Sequence, residues 1–243
     1  MYIKPFHVRL LLIAALLASV VSVRATQLTF DIYSDSAKTT LIPQGSYIPL
    51  AYGDNVTDFD PAGPIGGQYF RYGTNGGYTP DISLEYGWIE VANPTTSHGL
   101  FGPQLWYSGY PGLTNVAYPV FGASYYNYIA FTPTAGVAKL VSFDVARYLG
   151  GSEGGFTLKV VQNAFTPTPQ TLWAAAPDGG VTIGALTTYS PNVNVDPGST
   201  LYLIFGSNGN LGLDNITFTG VPEPSAMLLA GLGALALGLR RRP

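Results

Sequence analysis

Hydrophobic and polar positions alternate in short runs along most of the chain. In "QLTFDIY" (27–33) Leu28, Phe30 and Ile32 interleave with Thr29, Asp31 and Tyr33, and in "DISLEYGWIEV" (81–91) Ile82, Leu84, Tyr86 and Trp88 fall on one face. A period of two is that of a strand with one buried side. Further strand candidates are "YNYIAFT", "VAKLVSFDV", "GFTLKVVQ", "GVTIGALTTY", "STLYLIFG" and "LGLDNITFT". Between them lie "DPAGPIGG", "GTNGG", "SGYPG", "GGSEGG" and "NVDPGS", whose Gly and Pro residues mark turns. No helical period and no internal repeat stands out over 26–220. Many short strands with short connections predict one all-β domain there, an antiparallel β-sandwich whose two sheets bury alternate residues.

The two ends break the alternation. Lys4 and Arg9 precede the apolar run "LLLIAALLASVVSV", and Ser22, Val23 and Ala25 suit a cleavage site. Residues 1–25 therefore read as a secretory signal peptide, delivered to the translocon and cut by signal peptidase after Ala25. The far end, "VPEPSAMLLAGLGALALGLRRRP" (221–243), carries a second apolar run from Met227 to Leu239. As a helix this run spans only about 20 Å, short of the roughly 30 Å of a bilayer's hydrocarbon core. Arg240, Arg241 and Arg242 follow it, resist translocation and can snorkel, so the body is expected outside and the arginines on the cytoplasmic side. Pro222 and Pro224 stop the helix from extending upstream and keep an extended stretch accessible to a processing enzyme. The predicted organisation is a signal helix (1–25), a sandwich (26–220) and a tail with a short transmembrane helix (221–243).

Composition sharpens this picture by exclusion. Charged residues make up 10% of the 243, well under the roughly 25% usual for soluble proteins. There is no cysteine, which removes disulfides, thiolate metal sites and thiol nucleophiles. The bases between 26 and 220 are Lys38, Arg71, Lys139, Arg147 and Lys159, scattered and outnumbered by acids. Without a basic stripe to neutralise phosphates, nucleic acid is not an expected partner.

Candidate chemistry is sparse. Asp214 falls in phase with Ile216 and Phe218, and a carboxylate on a core-facing row needs a cation or hydrogen-bond donors. Asp31, with Asp54 or Asn55, could complete a calcium site, although Asp31 alternates out of phase with the core row unless a bulge intervenes. The competing reading has Asp214 and Asn215 bonding backbone at a strand entry. Catalysis has little to build on. His98 in "TTSHGLFGP" reads as a loop residue, and Glu153 in "GGSEGG" as a solvated turn residue. Glu85 and Glu90 are an odd number of residues apart in one strand, hence on opposite faces, and a glycosidase needs its two carboxylates together. "GTNGG" lacks the Lys and Ser/Thr of a phosphate cradle. A non-enzymatic protein is expected. Aromatics offer more: "GLFGPQLWYSGYPG" sets Phe101, Trp106, Tyr107 and Tyr110 among Gly and Pro, where the rings either stack on sugars or pack beneath a loop. Arg71, flanked by Phe70 and Tyr72, is a candidate for a sugar hydroxyl.

Val221, Pro222, Glu223, Pro224 and Ser225, followed by the short apolar run and the arginine cluster, resemble the PEP-CTERM sorting signal of exported bacterial proteins, also catalogued as an ice-binding-protein C-terminal domain. The resemblance implies recognition by an exosortase, a membrane transpeptidase acting near Pro-Glu-Pro, in a Gram-negative bacterium that makes extracellular polysaccharide. It implies an inner-membrane-anchored precursor that ends in the cell envelope or outside the cell. Ice binding does not follow, since the body shows no regular Thr-x-Thr array. "YGDNV", "TPDISLEYG", "FTPTAGVAKLVSFDVA" and "GLDNITFT" are similar to jelly-roll, galactose-binding-like domains found upstream of such signals. That likeness implies paired first and last strands, often with a structural calcium, and leaves two functional classes open: a polysaccharide-binding module and a structural surface protein with no small-molecule ligand. A carbohydrate-active enzyme is the third and least supported.

Overall fold

The computed structural model describes residues 25–73, 77–98, 102–120, 124–176, 180–206 and 210–221. The leader up to Arg24, Phe101, the motif residues Pro222 to Ser225 and Arg240 to Arg242 lie outside these residues. Among the described residues no helix is long and apolar enough to cross a membrane. The predicted terminal helices fall outside them.

The body is built from strands. In chain order they are β1 (Ala25–Leu28), β2 (Asp31–Tyr33), β3 (Tyr69–Arg71), β4 (Ile82–Glu90), β5 (Asn93–His98), β6 (Gln104–Trp106), β7 (Val116–Tyr118) and β8 (Tyr125–Pro133). There follow β9 (Val137–Arg147), β10 (Glu153–Gln162), β11 (Gln170–Ala174), β12 (Val181–Ile183), β13 (Thr187–Tyr189), β14 (Val193–Val195), β15 (Leu201–Gly206) and β16 (Leu211–Val221). One sheet runs β13-β9-β16-β7-β6, with β1 added to β16 and β14 to β9. The other runs β11-β10-β15-β8-β4-β5, with β12 added to β10. All recorded pairings are antiparallel. The expected β-sandwich is therefore present, and its first and last strands pair as the family likeness implies.

Alternation explains the core. Ile82, Leu84 and Tyr86 of β4, Ile129 and Phe131 of β8, and Leu201, Leu203 and Phe205 of β15 meet Phe143 and Val145 of β9 and Leu211, Leu213, Ile216 and Phe218 of β16 between the sheets. The intervening residues are not all solvated. Ile89, Tyr128, Ala130, Val161 and Ile204 form a separate cluster on the far side of the second sheet, capped by Ala164 and Phe165. Tyr110, Leu113, Val116 and Ala146 form another on the far side of the first. Both sheets are thus partly buried on two faces, which is why strands such as "YNYIAFT" read as near-continuous apolar runs.

Two predicted strands are interrupted. "QLTFDIY" is not one strand: Phe30 takes a left-handed φ of 53°, the chain leaves β16 after Leu28, and Asp31 to Tyr33 pair instead with β3. "GVTIGALTTY" likewise divides into β12 on the second sheet and β13 on the first. "GGSEGG" does not remain a turn, because β10 begins at Glu153.

Candidate functional site

The carboxylate seam arises where β16 changes neighbours. Its N-terminal half pairs with β7 through Leu213 and Ala117, and its C-terminal half pairs with β1 from Ile216 and Leu28 to Thr219 and Ala25. Between them Asn215 adopts φ 51°, so Leu213 and Ile216 both face the core and the row slips at Asp214. Asp214 is buried, at 3% exposure, because of this bulge and not through strict alternation with Ile216 and Phe218.

Its carboxylate accepts the backbone amides of Asn215 at 2.7 Å and of Thr114. Burial, then the negative charges of Asp31 and Asp144, push its pKa up to about 8. Asp31 accepts the Asn115 side-chain amide at 2.7 Å and the Thr29 hydroxyl at 2.8 Å. Asp144 accepts Thr188 at 2.6 Å and Asn215 Nδ2 at 2.9 Å. Among the described residues neither Asp31 nor Asp214 forms an ion pair with Lys or Arg. The structure thus brings Asp31 and Asp214 to one seam, and the signal sequence reasoning missed is Asn115, which precedes β7 and carries no pattern of its own. Asp54 is committed elsewhere, accepting the Leu84 amide at 2.9 Å, and Asn55 is exposed.

The two side chains offer oxygens only, the donor type that a hard cation such as calcium takes, and among the described residues Asp214 has no ion-pair partner. Among the described residues no three His, Cys, Asp or Glu side chains are grouped so as to hold a metal ion.

Beside the seam lies the two-stranded ribbon of β2 and β3. Ile32 and Phe70 are opposite one another and fully buried, so the neighbouring pairs Asp31 with Arg71 and Tyr33 with Tyr69 share the outer face. The Arg71 guanidinium lies 5.7 Å from the Tyr33 ring centroid, and its Nε stands 3.7 Å from Asp60 Oδ1. Lys38 also pairs with Asp60, and that hydrogen bond, ahead of burial, sets the balance that holds the Asp60 carboxyl below its ordinary range. Partial burial, then Asp31, raises the Tyr33 hydroxyl. Phe70 and Tyr72, expected beside Arg71, point inward and pack on Tyr52, with Tyr72 stacked at 5.1 Å. Arg71 is flanked instead by Tyr33 and Tyr69, on which no sequence signal fell.

The loop aromatics take the packed alternative. Tyr110 is 3% exposed and lies over Gly212, where a Cβ would come within 2.7 Å of its ring. Trp106 is half-buried against Tyr118 at 5.6 Å and Tyr148 at 6.2 Å, the latter edge-on. Tyr107 is half-buried against the main core. Trp106 Nε1, Tyr107 Oη and Tyr110 Oη are all buried without a hydrogen-bond partner among the described residues. Of the two alternatives open to these rings the described ones take packing: Trp106 and Tyr110 on the outer face of the first sheet, Tyr107 on the main core.

The remaining candidates also find structural partners. His98 is a strand residue, stacked on Trp88 at 4.0 Å. Glu153 is half-buried, bound by Arg147 Nε at 2.7 Å and Asn210 at 3.1 Å. Glu85 accepts the Tyr128 hydroxyl at 2.6 Å.

Residues 220–242 match the PEP-CTERM protein-sorting motif. A chain that carries this motif is exported and sorted by an exosortase from a membrane-anchored precursor. No curated protein matches the chain. Among solved structures, CpGH89CBM32-6 from Clostridium perfringens is similar at 9% identity and a TM-score of 0.27, over 58% of this chain and 94% of that one. The CBM22-1–GH10 modules of endo-1,4-beta-D-xylanase 10B from Clostridium thermocellum, complexed with xylohexaose, are similar at 13% identity and a TM-score of 0.22, over 58% and 25%.

Proposed function

We propose that this chain is a non-enzymatic protein of the cell envelope or extracellular matrix whose sandwich binds polysaccharide. It enters the general secretion route, loses residues 1–25 to signal peptidase, is held at the inner membrane by its tail, and passes to an exosortase at Val221–Ser225. The sorting motif supports the destination. The ribbon face supports the ligand class, because Tyr33 and Tyr69 offer flat surfaces for sugar rings beside Arg71 and Asp60, which can meet hydroxyls. A glycan array on residues 26–220 tests this, with retention lost in Arg71→Ala and Tyr33→Ala.

Calcium belongs to the same reading as a structural ion. Asp31 and Asp214 would hold it, with Asn115 and Thr29 orienting Asp31. When bound it supplies positive charge to a buried carboxylate and ties the second strand to the last. The absence of enzymatic activity is supported by the commitment of His98 to a Trp88 stack and of Glu85 to Tyr128.

A purely structural surface protein is the second reading, and the inward packing of Trp106 and Tyr110 favours it. A carbohydrate-active enzyme would need two facing carboxylates in a groove.

A further inference from the structure

The last strand leaves the body close to two exposed aromatic side chains. β16 ends at Val221, and two loop segments, 55–59 and 77–82, lie beside its final residues. Ile82 Cδ1 is 3.9 Å from where a Cβ on Gly220 would stand, and the Thr79 hydroxyl shares a 2.8 Å hydrogen bond with that of Thr26, which stands opposite Phe218. The Thr79 amide donates to the Val56 carbonyl at 2.7 Å and the Asn55 amide to that of Ile82 at 2.9 Å, so the two segments are bound to each other. Gly77 lies against the Phe59 backbone, where a Cβ would come within 2.7 Å of Cα. Val56 and Thr79 are buried, whereas Phe59 and Tyr78 stay 44% and 47% exposed.

The length of chain beyond β16 fixes what this end faces. Five residues, Pro222 to Ala226, separate Val221 from the apolar run that begins at Met227. Fully extended, that stretch reaches about 20 Å, of which the headgroup layer on one side of a bilayer takes about 6 Å. A body tethered so closely meets the lipid with the loops around its last strand. Aromatic rings settle at a membrane's boundary with water, where the ring leaves water without entering the hydrocarbon. Charge then selects the lipid, because segments 55–59 and 77–82 hold Asp58 and Asp81, both exposed, and no Lys or Arg. Such a surface repels anionic headgroups and accepts zwitterionic ones, which carry an ammonium.

We infer that Phe59 and Tyr78 form a membrane seat, laying this end of the sandwich on a zwitterionic lipid surface while the tail holds the chain there. The inference rests on the membrane-held tail proposed above. Two rings are a weak anchor by themselves. The tether makes their contact intramolecular, and the high effective concentration keeps it populated. Once the chain is cut near Val221 that concentration is gone and the body leaves the surface. The seat therefore orients the anchored precursor and does not retain the mature body.

The test uses the full-length chain in lipid nanodiscs. Because the sequence has no cysteine, Thr57→Cys beside the seat and Leu149→Cys at the far end each take one fluorescent label. Leu149 follows Tyr148, whose amide donates to Asn210 just before β16 begins. In phosphatidylcholine discs, spin-labelled lipid is expected to quench the label at 57 at least about twofold more than the label at 149. Adding Phe59→Ser and Tyr78→Ser should bring the signal at 57 down to that at 149, and mixing in phosphatidylglycerol should weaken it. Equal quenching at both positions, in a chain that stays with the discs in alkaline carbonate, would overturn the seat and leave the tail reading intact. So would quenching at 57 that survives the loss of both rings, since nearness alone would then account for it. A stronger signal on phosphatidylglycerol would overturn the choice of lipid. A chain that carbonate strips from the discs would remove the membrane-held tail and the seat with it.

Discussion

Asn115 donates its side-chain amide to Asp31 at 2.7 Å across a sequence separation of 84, joining the approach to β7 to the start of β2 at the seam of the first sheet. That bond orients one carboxylate in a region where a second, Asp214, is buried with no ion-pair partner among the described residues. In Asp214→Asn the charge is gone, so the body is expected to melt higher than wild type in EDTA at pH 8 and to lose its response to calcium. Wild type at a calcium concentration of about 100 times Kd gains roughly 2.7 kcal/mol. Scanning calorimetry of residues 26–220 with EDTA or calcium checks both statements.

The pH dependence follows from the same group. Asp214 has a folded pKa of about 8 against an ordinary value of 3.8, so the unfolded chain gives up this proton more readily. Its favourable contribution is complete below the ordinary value and is lost as pH rises through the folded one. In EDTA the body should lose on the order of a few kcal/mol between those limits, and Asp214→Asn should flatten the profile. Calcium should help most at the alkaline end.

Ring packing on the outer face of the first sheet predicts two opposite effects at one position and its neighbour. Tyr110→Phe removes a buried hydroxyl that has no partner among the described residues, so it should be neutral or stabilising by up to about 1 kcal/mol. Gly212→Ala drives a methyl into the Tyr110 ring and should cost about 1–3 kcal/mol. Urea melts of the two variants separate them.

The ribbon and the loop should part company in binding. Arg71→Ala and Tyr33→Ala are expected to lose glycan retention while keeping the melting temperature within a few degrees. Trp106→Ala should do the reverse, lowering the melting temperature through lost packing with Tyr118 and Tyr148 while binding persists. Paired glycan-array and melting measurements distinguish a ribbon site from a loop site.

Much of the fold could be read from the chain because period-two alternation maps directly onto sheet faces. β4, β8, β9, β10, β15 and β16 fall where Val, Ile, Leu and aromatic runs place them. The breaks were not legible. Phe30 and Asn215 are left-handed without being glycine; Asn adopts that region more readily than most residues, but nothing in the alternation marks either position. Those two residues place Asp31 near Asp214 although alternation alone sets them apart. The ribbon escaped for another reason: β2 and β3 are three-residue strands brought together from 38 positions apart in register, too short for any period to show. The loop rings were visible as a cluster, but whether Trp106 and Tyr110 face solvent depends on Gly212 in β16 and Tyr148 in the turn after β9.

The central claim is an exported protein processed at both ends around a closed sandwich. Intact-mass analysis of the native protein recovered from outside the cytoplasm tests it most directly. A species beginning at Thr26 and ending within Val221–Ser225 is the predicted result. A native protein that keeps residues 1–25 and still carries Arg240 to Arg242 would contradict it.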